Sequence, residues 1–204
     1  MARSLGGARE RSVARARRLV AAARSLAVER GDSDFTVAQV ARRARLSLKT
    51  FYRQFASKDE LLLALFEDDS RLGAGRLARS VGRHSQPRDR LRAFVAELFA
   101  LVAEGSGYSA MLVREHLRLS REHPAEMNEA LAPLIDLLTG EIDAAAATGA
   151  IRRDADRRDA VVVFNVVLAH VNAVVLGQLV DGREETVRLL WRFCEAALRP
   201  DPSP

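Results

Sequence analysis

The chain has 204 residues, 48% of them hydrophobic, 29% charged and only 5% aromatic, which supplies a sizeable core and favours helix formers over strand formers. Arginine makes up 30 of the 32 basic residues and Cys194 is the single cysteine, which excludes an internal disulfide or a cysteine metal cluster and points to a reduced, cytoplasmic setting. The net charge of +5 divides unevenly: residues 1–58 hold 14 basic against four acidic side chains, and residues 59–204 hold 18 against 23. A basic head on an acidic body predicts that one end meets a polyanion.

Apolar residues recur at helical spacing almost throughout, and no Asn-Gly or Asp-Gly turn joins alternating strands, so an all-α fold is expected. A first helix is predicted over 9–30, with Val13, Ala16, Val20, Ala23 and Ala27 on its apolar stripe and Gly31 ending it. Thr36-Val37-Ala38-Gln39 reads as a capping box that opens a helix over 37–44. Ser47 caps a second short helix running to Gln54, with Phe51 and Phe55 turned inward. Ser57-Lys58-Asp59-Glu60 is another capping box, opening a long helix through Leu61, Leu62 and Leu65.

Farther on, Gly73, Gly75 and Gly82 are expected to loosen the connection before Pro87. Helices follow at 88–104, 109–122, 125–148, 156–179 and 183–199, with Pro133 kinking or splitting the third of these. Residues 200–204, rich in proline, read as a disordered tail. No signal peptide is visible, because Arg24 interrupts the short apolar run at 19–23. The 21 uncharged positions at 160–180 could span a bilayer by length, but Asn165, His170, Asn172 and Gln178 lie within them. A helix buried on all sides is the favoured reading, and no membrane is expected as a partner.

Two short helices joined by a tight turn and carried on a basic first helix make a helix-turn-helix. At residues 10–66 the chain resembles the TetR family of bacterial transcriptional regulators. The residues that carry this likeness are Val40-Ala41, Leu46-Ser47, Tyr52-Arg53-Gln54-Phe55 and Ser57-Lys58-Asp59-Glu60-Leu61, in the family's spacing. One departure is Arg45, which stands where the family has its turn glycine; a left-handed backbone there costs arginine about 1 kcal/mol relative to glycine.

The resemblance implies a DNA-binding domain at 1–60 and a helical effector-binding and dimerisation domain at 61–204. It places Ser47, Leu48, Lys49 and Thr50 at the exposed start of the recognition helix, near base edges or adjacent phosphates. Tyr52 and Lys58 match phosphate-binding positions, Thr36 opens the preceding helix, and Arg45 can add a phosphate contact. Arg53 and Gln54 read either as base-reading or as solvated side chains. Arg3, Arg9 and Arg11 read either as an arm that tracks a groove or as a frayed terminus.

In the body, residues 149–156 look like the turn before the family's penultimate helix, which implies a homodimer through the last two helices. Asn165 and Asn172, seven residues apart, share a helical face and can pair across a dimer or line a cavity. Candidate effector-pocket residues are Phe94, Phe99, Tyr108, Met111, Met127, Phe164 and Asn165, because ligand cavities are mostly apolar with a few polar groups.

The function expected is thus a ligand-responsive regulator, a repressor that binds a palindromic operator in double-stranded DNA and is released by a small apolar effector. The competing enzyme reading is a metal-dependent hydrolase on Glu115-His116 and Glu122-His123. No His-Glu-x-x-His pair or phosphate-cradling Gly-x-x-x-x-Gly-Lys loop supports it, and no cofactor is expected.

Overall fold

The structure, a computed structural model, describes residues 2–103, 107–178 and 182–200, without the side chains of residues 2–6, 8, 103 and 183. The described residues form nine helices and no strand: α1 (Ala2–Arg30), α2 (Val37–Arg43), α3 (Leu48–Tyr52), α4 (Lys58–Val81), α5 (Pro87–Ala103), α6 (Gly107–Glu122), α7 (Pro124–Ala147), α8 (Arg157–Val175) and α9 (Arg183–Ala197). The all-α expectation holds. The predicted tail at 201–204 and the side chain of Arg3 lie outside the described residues.

The chain divides into two compact units, Met1–Asp68 with Ser106–Ala130, and Asp69–Gly105 with Leu131–Pro204. In the first unit α1 packs on α2 and α6, and α2 packs on α3. Its core joins Leu19, Ala23 and Leu26 of α1 to Phe35, Val40, Phe51, Phe55, Leu61 and Leu62, all nearly inaccessible. The expected apolar stripe of α1 therefore begins later than the spacing suggested, since Val13 is 44% exposed.

The second unit is built on α5, which packs against α8 and α9. Phe94, Leu98, Phe99, Leu138, Ile142, Phe164, Val167 and Val171 fill its interior. Arg90 donates two hydrogen bonds of 2.6 Å to the carboxylate of Glu141, which is buried and needs that counter-charge. Cys194 is buried in the same core, and desolvation pushes its thiol up to about 11.

Three expectations about the helices need correcting. Gly73 and Gly75 do not loosen the chain, because α4 runs through both to Val81. A Cβ on Gly73 would come within 2.8 Å of Leu101 Cδ2, so glycine is there to let α4 pass close to its neighbour. Pro133 does not split α7, which continues to Ala147. The uncharged run ends as a helix at Val175, well short of residue 179, and turns at Gly177 with φ 71°. That helix is long and apolar enough to cross a membrane, with mean hydropathy 1.5, and only 33% of its apolar window is buried. Its start is firm, with Asp156 and Asp159 forming a reciprocal capping box.

The glycines give a test of this packing. Gly73→Ala should destabilise by about 1 kcal/mol through overpacking, a cost kept small because the Leu101 methyl it meets ends a flexible side chain. Gly140→Ala, on α7 where a Cβ meets nothing within 4 Å, should stabilise by about 0.5–1 kcal/mol through helix propensity. Urea unfolding of the two variants reads both; a gain at Gly73 would contradict the close approach.

Candidate nucleic-acid interface

The short helices are held by their caps. Thr36 Oγ1 accepts from the Gln39 N–H while the Gln39 side chain accepts from the Thr36 N–H, as the capping box predicted. Ser47 Oγ accepts from the Thr50 N–H at 3.1 Å and shares a 2.8 Å hydrogen bond with the Thr50 hydroxyl. At the head of α4 the Ser57 hydroxyl accepts from the Glu60 N–H, and the Glu60 carboxylate turns back to the Ala56 N–H.

Between α2 and α3 the backbone turns at Arg45, the one non-glycine residue with positive φ among those described, at 53°. Arg18 of α1 braces this turn, donating to the Ala44 carbonyl at 2.6 Å. The strain is thus offset by a charged hydrogen bond while the Arg45 side chain stays exposed.

These restraints sort the predicted contact residues into two groups. Arg45, Leu48, Lys49, Tyr52 and Arg53 are exposed, Leu48 by 43% and Tyr52 by 54%. Among the described residues no hydrogen bond or ion pair engages the cations of Arg45, Lys49 or Arg53. Tyr52 is fixed edge-on to the buried Phe51, with ring centroids 5.4 Å apart, and so presents its hydroxyl outward. The second group is tied to the protein. Thr36 and Ser47 serve as caps, Thr50 joins Ser47, and the Gln54 side-chain oxygen accepts from Ser12 Oγ at 2.9 Å. The Lys58 ammonium donates to the Ser33 carbonyl and sits 5.0 Å from the centre of the Phe35 ring. An ammonium has three donors, which leaves Lys58 two for an anion.

Two arginines beside this face were missed by the sequence reading. Arg42, in the last turn of α2, is exposed, and Arg43 is clamped to Glu29 through a pair of hydrogen bonds, one of 2.7 Å. That clamp holds the Glu29 carboxyl down at about 2, chiefly through the Arg43 hydrogen bonds. Spacing alone does not separate the two, since both follow Ala41 on a polar surface.

Helix α6 belongs to the same unit and is joined to it by charge. Arg118 donates to both oxygens of Asp59 at 2.6 and 3.1 Å, and to Glu115 and Glu122 at 2.9 and 2.5 Å. Ser33 donates to Glu115 at 2.5 Å, and Arg114 donates to the Gly31 carbonyl at 3.0 Å. Gly31 and Gly107 meet backbone to backbone, so that a Cβ on Gly107 would lie 2.8 Å from the Gly31 Cα. Asp59, Glu122 and His123 could jointly offer ligand atoms within 4.8 Å of one another. The Arg118 guanidinium already supplies the cation there, and holds the Asp59 carboxyl below the usual carboxylate range.

The pocket candidates fall in both units. Phe94, Phe99 and Phe164 are core residues of the second unit, whereas Met111 and Met127 are buried and Tyr108 half-buried in the first. Asn165 is exposed on α8 while Asn172 is buried with its Oδ1 unpartnered. Two other buried polar atoms of the second unit also lack a partner, His170 Nε2 and Thr186 Oγ1.

Residues 19–65, which contain every element of this face, match the family of bacterial regulatory proteins named for tetR. Over that stretch the chain is similar to the TetR family. The HTH-type transcriptional regulator BetI of Brucella anthropi is 36% identical over 86 residues, which is 42% of this chain and 44% of that protein. The chain thus aligns with under half the length of that relative. The fatty acid metabolism regulator protein of Bacillus subtilis is 24% identical over 141 residues, covering 69% of this chain and 72% of its own. Among solved structures, FadR from Bacillus subtilis in complex with stearoyl-CoA superposes with a TM-score of 0.70, at 19% identity over 89% of this chain and 98% of that one. RolR in complex with resorcinol superposes at 0.68, with 19% identity over 95% and 98%. The last two likenesses show a shared fold.

The α6 junction yields a pH test. His116 is half-buried, packs near Phe66 at 6.5 Å between ring centroids, and has an unpartnered Nδ1; burial lowers its pKa below the ordinary 6.5. The unfolded imidazole takes a proton that the folded one resists, so the neutral form's stability is present above pH 6.5 and lost as pH falls below it. His116→Gln should flatten the decline in urea midpoint between pH 7.5 and 5.5. Parallel curves for variant and parent would refute the assignment.

Proposed function

We propose that the chain is a ligand-responsive, DNA-binding transcriptional regulator of the cytoplasm, a repressor that binds a palindromic operator as a homodimer. The observation that carries this reading is the surface of α3 and its turn: Arg45, Lys49 and Arg53 carry unpaired cations beside exposed Leu48 and Tyr52. A major groove admits a helix of this kind, with phosphates on either side to take the arginines. Residues 1–60 act as the DNA-binding domain and 61–204 as the effector-binding and dimerisation domain. This division is one of role, since α6 folds with the head. A metal-dependent hydrolase has less support, because its acidic groups are consumed by Arg118.

Dimerisation is assigned to α8 and α9. Val162 on α8, Leu176 just past its end, and Leu189 and Phe193 on α9 are large apolar side chains exposed by 36–58%. Their spacing keeps each pair along one stripe, and a two-fold contact would cover both stripes at once. Asn165 lies on the α8 stripe and would pair across that contact. Val162→Glu with Phe193→Glu should convert the dimer to a monomer by light scattering and abolish palindrome binding. A dimer that survives both changes would reject this interface.

The effector is assigned to the second unit, among Phe94, Phe99 and Phe164, as a small apolar molecule with a hydrogen-bonding group. Unpartnered atoms of Asn172, His170 and Thr186 would take that group. The acyl thioester and the phenol bound by FadR and RolR set the two classes to screen. Release follows only if the effector prefers one separation of the two heads. Helix α4, continuous from Lys58 to Val81, carries the change, and the Arg118–Asp59 pair ties α6 to the head of that helix.

Selection of bound fragments from random duplex DNA tests the whole reading, and four variants resolve it. Tyr52→Phe and Lys58→Ala should weaken all sequences alike, with Lys58→Ala flattening the slope of log affinity on log salt by about one unit per protomer. Lys49→Ala and Thr50→Ala should instead change base preference, by about 1–3 kcal/mol at a few positions in each half-site. Uniform losses for all four, with no palindrome recovered, would overturn it.

A further inference from the structure

We infer that the first helix adds a second phosphate-contacting surface to this protein, centred on Arg11 and Arg15, which grips duplex DNA flanking the site read by α3. The inference rests on the DNA-binding reading above and extends it beyond the helix-turn-helix. Two hydrogen bonds fix the rotation of α1. Ser12 Oγ meets the Gln54 side chain just past the end of α3, and Arg18 meets the Ala44 carbonyl at the turn before α3. At about 100° per residue these two positions bracket one face of the helix. Arg15 falls between them and Arg11 lies one turn earlier on the same face.

Toward the C-terminus that face is apolar and buried, through Leu19, Ala22, Ala23 and Leu26. Toward the N-terminus it changes to arginine. Arg11 and Arg15 have no hydrogen bond or ion pair among the described residues, and the nearest acid in sequence, Glu10, is exposed without one either. Cations set on a face that turns toward α3 and its turn, and left without a protein counter-charge, fit a polyanion lying along that side. Arg11 lies just N-terminal to the Ser12 contact and Arg15 just after it, with α1 continuing as helix ahead of both, so the surface lies at the edge of the site read by α3. Arg17 supplies the internal control. It is exposed on the other side of α1, and the same charge there should find no phosphate.

The test uses the full chain and a duplex recovered from a random-sequence pool, once trimmed to the selected site and once carrying about one helical turn of extra DNA on each side. The Arg11→Gln/Arg15→Gln variant should flatten the slope of log affinity on log salt by about two units per protomer. It should also lose the preference of the parent for the longer duplex, while keeping the same base preference. Arg17→Gln should match the parent in all three. Circular dichroism should be unchanged for both, since none of these three arginines holds the fold together. A double variant with the parent's slope and length preference would overturn the inference while leaving the regulator reading intact. Equal losses for Arg17→Gln would overturn it as well, by reducing the effect to diffuse charge. Failure of the parent to retain any duplex would instead reject DNA binding altogether.

Discussion

A helix of five residues has no stability of its own: nucleation costs more than so few hydrogen bonds return. Helix α3 exists because Phe51 is wholly buried between its neighbours and because the turn before it is braced from α1. Everything that the head presents to solvent follows from that anchorage. With Phe51 inward, Leu48, Lys49 and Tyr52 must point outward, and Tyr52 is held in place against the Phe51 ring. Loss of that single side chain would leave a cavity and remove the scaffold for four neighbouring positions at once.

Polar bonds then decide which outward residues are available to a partner. Serine and threonine at helix starts engage their hydroxyl oxygens with backbone donors, which fixes the turn. Arginine is used twice over in this protein. Arg18, Arg43 and Arg118 are structural, each holding a carbonyl or carboxylate from another element, whereas Arg45 and Arg53 stand unpaired. Near-exclusive use of arginine suits both duties, because one planar fork serves a carboxylate or a phosphate equally well.

The head was legible in the sequence because its signals are local. Thr36 with Gln39, Ser47 and Ser57 with Glu60 each mark a helix start within four residues, and all three caps form. The left-handed turn at Arg45 followed from the family's glycine at that position. What escaped depended on partners distant in the chain. Glu115 and Glu122 suggested a metal because Arg118 between them gave no sign of reaching Asp59, 59 residues away. Gly73 looked like a break in α4 because nothing local reveals Leu101 above it.

Cys194 has a practical side. A thiol this buried, with its ionisation pushed up to about 11, holds almost no thiolate at neutral pH, and thiolate is the reactive form. In solution the folded chain therefore behaves as though it had no cysteine. Alkylating reagents and mild oxidants should pass it by, so the native sequence is ready to accept one engineered surface cysteine as its sole point of attachment for a fluorophore, without first removing its own.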